Sequence, residues 1–493
     1  MKILIERTNS LSKLSSVMSK AKTDKIRPQV LKGFRDYPPS EQIAREKMIA
    51  NVKETVELMG FLPLQTPSLE LAETLLEQDA SKEELAELFG FVGPDEINMA
   101  LRYEFTVSMA RFVASNPDMA LPFRRYQYGN VWRVDKPGPG RYREFMQFDI
   151  DIVGTTNFLA DAEIIATMSK VFDKLGINNY QVRYSTRKIM NGLIKFAGIP
   201  DEQAMDVMRV VDKLGKQGEK AVIEELCEGR VDKSGDKIKG LNLNTRQIAE
   251  IAKFLEMAQA SSGDPLNAAE TLLGKIDESR QGISDLRLIQ NYLSLMNIDY
   301  AKTPVDLTIV RGLGYYTGPV FEMVLTDLPE YGAVFAGGRY DNLVSRFIGQ
   351  QIPGVGASIG VDRLFAALIA LKALTLETSV SKVLVTVMDK EKLPQYLEML
   401  NKIREAGIPA EIYVGDSKNI TKQIKYADKV GIPFAVIAGS DEFAKGQVTI
   451  KNLKAGAKKA VQTSEREEWL KAEDIQETIA IEKMVEWLKR ELK

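Results

Sequence analysis

The stretch FRRYQYGNVWRVDKPGPGRYREFMQFDIDIVG, residues 123–154, decides the fold reading. Aromatic and β-branched residues alternate with polar ones from Phe123 to Trp132 and again from Arg143 to Val153, the pattern of half-buried strands. Asp135-Lys136-Pro137-Gly138-Pro139-Gly140 separates the two runs and predicts an antiparallel hairpin with a long tip. Between Arg124 and Arg143, six basic residues (Arg124, Arg125, Arg133, Lys136, Arg141, Arg143) stand against one acid, Asp135. Such a run is usually a solvated face. The interleaved Tyr126, Tyr128, Trp132 and Tyr142 favour instead a half-buried face with functional arginines, whose forked donors suit phosphate oxygens. On the second strand Gln147, Asp149 and Asp151 share one face, a pocket signature if that face turns inward and an ordinary wet face if it does not.

Outward from the hairpin, residues 97–153 read as strand-rich, with a helix expected over Ile43–Met59, a short strand over Phe61–Pro67 and a helix over Ala160–Leu175. Residues 178–300 change to helical periodicity (Asp201–Leu214, Thr245–Ala260, Ile283–Met296) and predict an inserted helical module. Strands return at Val305–Arg311 and Val320–Leu325. A glycine-punctuated tract, Gly337-Gly338-Arg339-Tyr340-Asp341, and a strand-to-helix unit from Val355 to Leu371 follow. After the polar linker Glu377–Ser381, strand and helix alternate: strands at Val383–Val387, Ala410–Val414 and Phe434–Ala438, helices at Leu393–Ala406 and Asn419–Val430. That order predicts a small, mostly parallel α/β domain, closed by a helix over Ile475–Leu492. Residues 1–27 read as a disordered extension.

Composition removes whole classes of chemistry. At 493 residues, two or three domains are expected, and 44% hydrophobic with 27% charged residues is a globular balance. The chain contains no histidine, so Ser-His-Asp catalysis, histidine-ligated zinc and an imidazole base are excluded. Its single cysteine, Cys227, rules out an internal disulfide and fits a reducing compartment such as the cytoplasm. The longest apolar run, Phe365 to Leu376, is interrupted by Lys372 and too short to span a bilayer. Neither a P-loop nor a G-x-G-x-x-G turn is present, so ATP, if bound, lies on an antiparallel sheet and is held by arginines. A substrate that brings its own nucleophile, such as a small carboxylic acid, suits a site of this kind.

Six segments, taken in order, resemble one family. LKGFRDYPP (31–39), Gly60 to Pro67, LRYEFTVSMARF (101–112), the hairpin (123–154), VRGLGYYTG (310–318) and GGRYDNL with GVGASIGVDRL (337–364) are similar to the class II motifs and histidine-binding signatures of histidyl-tRNA synthetases, class II aminoacyl-tRNA synthetases. TKQIKYADKVGIPFAVIAGSDEFAKGQVTIKNL (421–453) resembles their anticodon-binding domain. The resemblance implies an α+β chain: an antiparallel catalytic sheet flanked by helices, a helical insertion and a C-terminal α/β anticodon-binding domain. It divides the chain into a catalytic core (28–177 and 301–376), the insertion (178–300) and the anticodon-binding domain (382–493). It further implies a cytoplasmic homodimer that uses ATP and Mg²⁺ to join L-histidine to histidine tRNA, meeting the acceptor end and the anticodon, with no membrane partner and no metal held by the protein.

Carried over residue by residue, Arg133 takes the α-phosphate and Arg363 the γ-phosphate of ATP. Arg311 takes the substrate carboxylate and α-phosphate; these three arginines form the catalytic and ATP-binding set. Glu104, Thr106 and Gln147 take the α-ammonium group, Asp151 and Tyr316 the two imidazole nitrogens, and Tyr315 and Tyr340 line the pocket. Relatives commonly carry an acid where this chain has Gly314. The rival is an inactive paralogue acting as a regulatory subunit of histidine biosynthesis, a type that usually loses several of these residues and the anticodon-binding tail.

Overall fold

Proline sets the first helix. Pro38 and Pro39 begin α1 (Pro39–Leu58), where a missing N–H leaves no helical bond unmade, and Gly60 at φ +82° lets the chain turn out of it. The computed structural model describes residues 28–76, 88–93, 95–138, 140–231, 235–259, 263–309, 315–453 and 476–492; the extension read over 1–27 lies outside them.

Seven strands make the main sheet: β1 (Leu62–Pro63), β2 (Phe123–Trp132), β3 (Glu144–Val153), β4 (Tyr180–Thr186), β5 (Pro319–Leu325), β6 (Ala333–Tyr340) and β7 (Gly354–Gly360). Their order is β1-β2-β3-β7-β6-β5-β4, antiparallel throughout except for the two-residue parallel pairing of β1 with β2. The antiparallel hairpin β2–β3 forms as expected, its register placing Arg125 opposite Asp151 and Gln127 opposite Asp149. Three expectations change. The strand read over Phe61–Pro67 shrinks to β1. Within the stretch read as strand-rich, Thr106–Ala114 is a helix, α2. Among described residues, Val305–Ile309 makes only one bridge, Val305 to Tyr184, because Asp306 Oδ1 accepts from the Thr308 N–H and hydroxyl and bends the chain.

Behind the sheet, α3 (Leu159–Lys174) packs against α1 and the central strands. The helical stretch follows: α4 (Arg187–Phe196), α5 (Asp201–Val211), α6 (Thr245–Ala258), α7 (Pro265–Leu273) and α8 (Asp277–Leu295). It starts later than the boundary read at 178, since Tyr180, Val182 and Tyr184 alternate inward and make β4 an edge strand of the sheet. Buried residues of α4–α8, such as Leu193, Phe254 and Leu286, belong to the same apolar cluster as Phe148 and Ile150 of β3. Helix α9 (Val361–Ala370) follows β7 directly.

The C-terminal sheet comprises β8 (Val383–Val385), β9 (Ala410–Ile412), β10 (Phe434–Ile437), β11 (Gln447–Asn452) and β12 (Gln476–Ala480), in the order β9-β8-β10-β11-β12. β8, β9 and β10 are parallel; β11 and β12 are added antiparallel, so the sheet is more mixed than its sequence suggested. Helices α10 (Leu393–Glu405), α11 (Ile420–Val430) and α12 (Met484–Glu491) accompany it. The helix read over Ile475–Leu492 is corrected at its start: Gln476–Ala480 completes the sheet edge, where the Thr478 and Thr449 hydroxyls meet at 2.8 Å.

Candidate active site

Strand β3 is buried on both sides. Phe148, Ile150 and Ile152 join the apolar cluster behind the sheet, so strand alternation turns Gln147, Asp149 and Asp151 to the opposite face. Register widens that polar row: Arg125 and Gln127 of β2 stand opposite Asp151 and Asp149, as do Gly356 and Ser358 of β7. Glycine is required at 356, where a Cβ would lie 2.0 Å from Asp151 Oδ1, and at 338, where it would lie 2.9 Å from the Tyr316 ring. The two glycine-rich tracts thus leave room for an acid and a tyrosine.

Arg125 and Asp151 meet with Nη2 2.7 Å from Oδ2, their side chains 0% and 3% exposed. Tyr340 donates its hydroxyl to Asp151 Oδ1. The guanidinium is close without being aligned: none of its three nitrogens makes a hydrogen bond among the described residues, nor do Asp149 Oδ1 and Gln147 Oε1. Burial pushes the Asp149 carboxyl up to about 7 and also raises Glu104 and Asp151, while Arg125 pulls all three back. Three carboxylates around one guanidinium make an anionic enclosure that favours a cation.

Glu104 also builds its own surroundings. Its two oxygens accept the backbone N–H groups of Thr106 and Val107, the latter at 2.6 Å, placing negative charge at the positive end of α2. Tyr315 stands edge-on to Tyr316 at 5.0 Å and to Tyr340 at 6.0 Å between ring centres. Burial raises all three phenols, which stay protonated and able to donate at neutral pH.

Arg133 lies at the junction of this pocket with a wider cleft of about 990 Å³. Its Nε donates to the Tyr103 carbonyl at 3.0 Å, and its guanidinium sits 5.2 Å over the Phe145 ring. Arg141 and Arg363 line the cleft, as do Arg187 and Arg209 from the helical stretch. Arg363 is in the first turn of α9, with Nη1 2.9 Å from the Ala333 carbonyl. Its neighbour Asp362 is a buried anchor that accepts from Arg45 (2.7 Å), the Tyr37 hydroxyl and the Met146 N–H (2.6 Å). Arg45 stacks 3.8 Å over Tyr37, so the segment before α1 is tied to both the hairpin and α9.

Of the residues singled out in the sequence, Glu104, Thr106, Gln147, Asp151, Tyr315, Tyr316 and Tyr340 line the small pocket with Arg133, and Arg363 lines the cleft. Arg311 and Gly314 lie outside the described residues. Arg125 and Asp149 were noted in the basic run and on the polar face but given no role, and Ser358 and the Asp362–Arg45–Tyr37 anchor were not singled out. Alternation along MQFDIDI already put Asp149 on the face of Asp151; Arg125 emerges only when the hairpin register is counted from its tip. Among the described residues no three His, Cys, Asp or Glu side chains are grouped to hold a metal.

A family model described as histidyl-tRNA synthetase matches residues 33–364, and one described as anticodon binding domain matches residues 382–473. A protein of Dinoroseobacter shibae named histidine–tRNA ligase is 40% identical over 484 residues, covering 94% of this chain and 97% of its own. The crystal structure of histidyl-tRNA synthetase from Nostoc sp. PCC 7120 superposes with TM-score 0.78 at 28% identity, covering 95% of this chain and 100% of its own. An ATP phosphoribosyltransferase regulatory subunit/histidyl-tRNA synthetase from Bacillus halodurans C gives TM-score 0.66 at 21% identity over 82% of this chain and 97% of its own, a likeness of fold.

Proposed function

The chain belongs to the histidyl-tRNA synthetase family, and on that premise we propose how its residues divide the charging of histidine tRNA with L-histidine. The observation that carries the reading is the adjacency of two unlike spaces: a small pocket with three carboxylates and three tyrosines, and a wider arginine-lined cleft, with Arg133 facing both.

L-Histidine occupies the acid- and tyrosine-lined pocket. Glu104, Thr106 and Gln147 receive its α-ammonium group, and Asp151 and Tyr316 the imidazole nitrogens, with Tyr315 and Tyr340 as walls. ATP lies in the cleft, its α-phosphate on Arg133 and its γ-phosphate on Arg363, and Arg311 bridges substrate carboxylate and α-phosphate. Mg²⁺, where used, would be carried in on the ATP phosphates beside Arg133 and Arg363 and would help neutralise their charge. A carboxylate oxygen of histidine attacks the α-phosphorus, the bond to the bridging oxygen breaks, and pyrophosphate leaves as histidyl-adenylate forms. A ribose hydroxyl at the tRNA acceptor end then takes the acyl group and AMP departs. Positioning and charge neutralisation supply the acceleration, so the absence of histidine from the chain costs the reaction nothing. Hydrogen bonding to both imidazole nitrogens leaves buried polar groups unpaired with any other amino acid, a discrimination that reaches ~10⁴.

Residues 28–177 and 301–376 act as the catalytic core, 178–300 as the insertion, shortened at its start by β4, and 382–493 as the anticodon-binding domain. A homodimer fits the small sheet formed by Leu69–Leu71, Gly90–Val92 and Asn98–Leu101, which leaves Leu69, Leu71, Phe91, Val92 and Ile97 exposed. No described helix is long and apolar enough to cross a membrane, and the single cysteine is in keeping with work in the cytoplasm. The alternative, an inactive regulatory paralogue, is not favoured: the near full-length relative is a ligase, and the anticodon-binding match is retained.

Aminoacylation of histidine tRNA transcripts, made with and without the extra 5′ nucleotide typical of histidine tRNAs, tests the reading. Charging of at least one transcript with L-histidine is expected. Failure with both, under conditions where histidine-dependent pyrophosphate exchange proceeds, would contradict the tRNA half of it.

A further inference from the structure

Asp149 is a buried acid for which the protein supplies no aligned partner on one side. It is 3% exposed, lines the small pocket, and its Oδ1 accepts no hydrogen bond among the described residues. Buried acids with a structural role are mostly paired, as Asp362 is with Arg45 and Asp161 with Arg339. The nearby cations do not pair it: Arg125 points no aligned N–H at it, and Arg102 is committed to the Thr66, Pro67 and Asn130 carbonyls. Ser358 tells which end of the pocket Asp149 serves. Its hydroxyl accepts from Gln147 Nε2 at 2.7 Å, and Ser358 stands directly opposite Asp149 across β7 and β3, which places Asp149 at the Gln147 end. Asp151 faces the other end, between Tyr340, Arg125 and Gly356.

We propose that Asp149 is a further substrate-binding residue, whose carboxylate receives the α-ammonium group of L-histidine beside Glu104, with Arg125 beneath the carboxylates as the positioning cation; this rests on the histidine reading above. The charge count agrees. Around Asp149 stand Arg125 from β2, Arg102 and Glu104 from the segment before α2, Tyr316 from the turn before β5, Ser358 from β7 and Asp151 on its own strand. With Glu104 and Asp151 crowded into the same buried space, a charge on Asp149 is favoured when another cation enters. An arriving ammonium group therefore draws the proton off Asp149, whose carboxyl otherwise sits at about 7 through burial, and ligand affinity rises as pH increases through that value.

Calorimetry on the full chain with three ligands separates the ends of the pocket. L-Histidine and L-histidinol carry the ammonium group; 3-(imidazol-4-yl)propionate lacks it. Asp149→Asn, with Asp149→Ser as a second variant, is expected to weaken both amines about tenfold or more while changing the propionate by less than about threefold. Binding of the propionate by the variant also reports a folded pocket. The pH dependence of histidinol affinity near 7 is expected to be steeper in wild type than in Asp149→Asn. Unchanged amine affinity, or equal weakening of all three ligands, overturns the proposal, the latter assigning Asp149 to the imidazole. Wild type that binds no L-histidine would instead overturn the substrate reading beneath it.

Discussion

The two sheets of this molecule bury very different things. On the main sheet and its attachments, Arg45, Arg102, Arg125, Arg339, Glu104, Asp149, Asp151, Asp161 and Asp362 are all out of solvent. In the C-terminal unit from β8 to α12, the buried polar side chains among the described residues are Thr386 and Gln423, both neutral and both hydrogen-bonded to backbone. Burying ions is unfavourable unless they are paired, and paired ions seldom stabilise more than an apolar core would. The first sheet therefore carries charges that stability does not require, in the place where we propose that a zwitterion and a polyphosphate bind. The second is an ordinary packing core, and whatever it recognises meets its surface.

Breaking the charged floor should have the largest effect. Asp151→Ala leaves Arg125 enclosed without its acid and is expected to lower unfolding free energy by about 3–5 kcal/mol in urea titration, besides weakening histidine binding. The double variant Arg125→Met with Asp151→Ala should recover much of that stability and none of the activity; no recovery would mean that the pair does not account for the loss. Next in size, Arg133→Ala or Arg311→Ala should slow histidine-dependent pyrophosphate exchange about 10²–10³-fold with melting temperature nearly unchanged.

A smaller effect carries a definite sign. The Asp149 carboxyl stays protonated up to about 7 in the folded chain against an ordinary value of 3.8, so the folded state holds an extra proton across that window. Stability should therefore fall as pH rises from about 4 to 7, and Asp149→Asn should stabilise the unliganded protein at pH 8, by on the order of 2 kcal/mol, but not at pH 4. Equal stabilisation at both pH values would remove titration as the cause. In the second sheet, Gln423→Ala should cost about 1–3 kcal/mol, because it leaves the Val387 N–H and C=O and the Ser417 carbonyl without their partner, while exchange stays unchanged.

How much of this was legible before the structure follows from where each signal resides. Local signals carried far: alternation over 123–153 yielded β2 and β3, periodicity yielded α1, α3 and α6, and the strand–helix order after 382 yielded β8 to β10. Elements that form only because a neighbour is present were not legible. β4 looked like the start of a helical module until β5 lay beside it, and β12 was read as helix until the edge of β11 claimed it. The site divides likewise. Gln147 and Asp151 follow from one strand's alternation, whereas Arg125 depends on pairing across a hairpin whose tip length the sequence does not set. The Asp362 anchor, which joins positions as distant as Tyr37 and Met146, leaves no local pattern.

The most direct test of the central claim, that this buried charge and the arginine cleft together activate one amino acid, is ATP–pyrophosphate exchange measured with each of the twenty amino acids in turn. Exchange with L-histidine and with none of the others is the expected result. Exchange with no amino acid, or equally well with one that has no imidazole, would contradict the account.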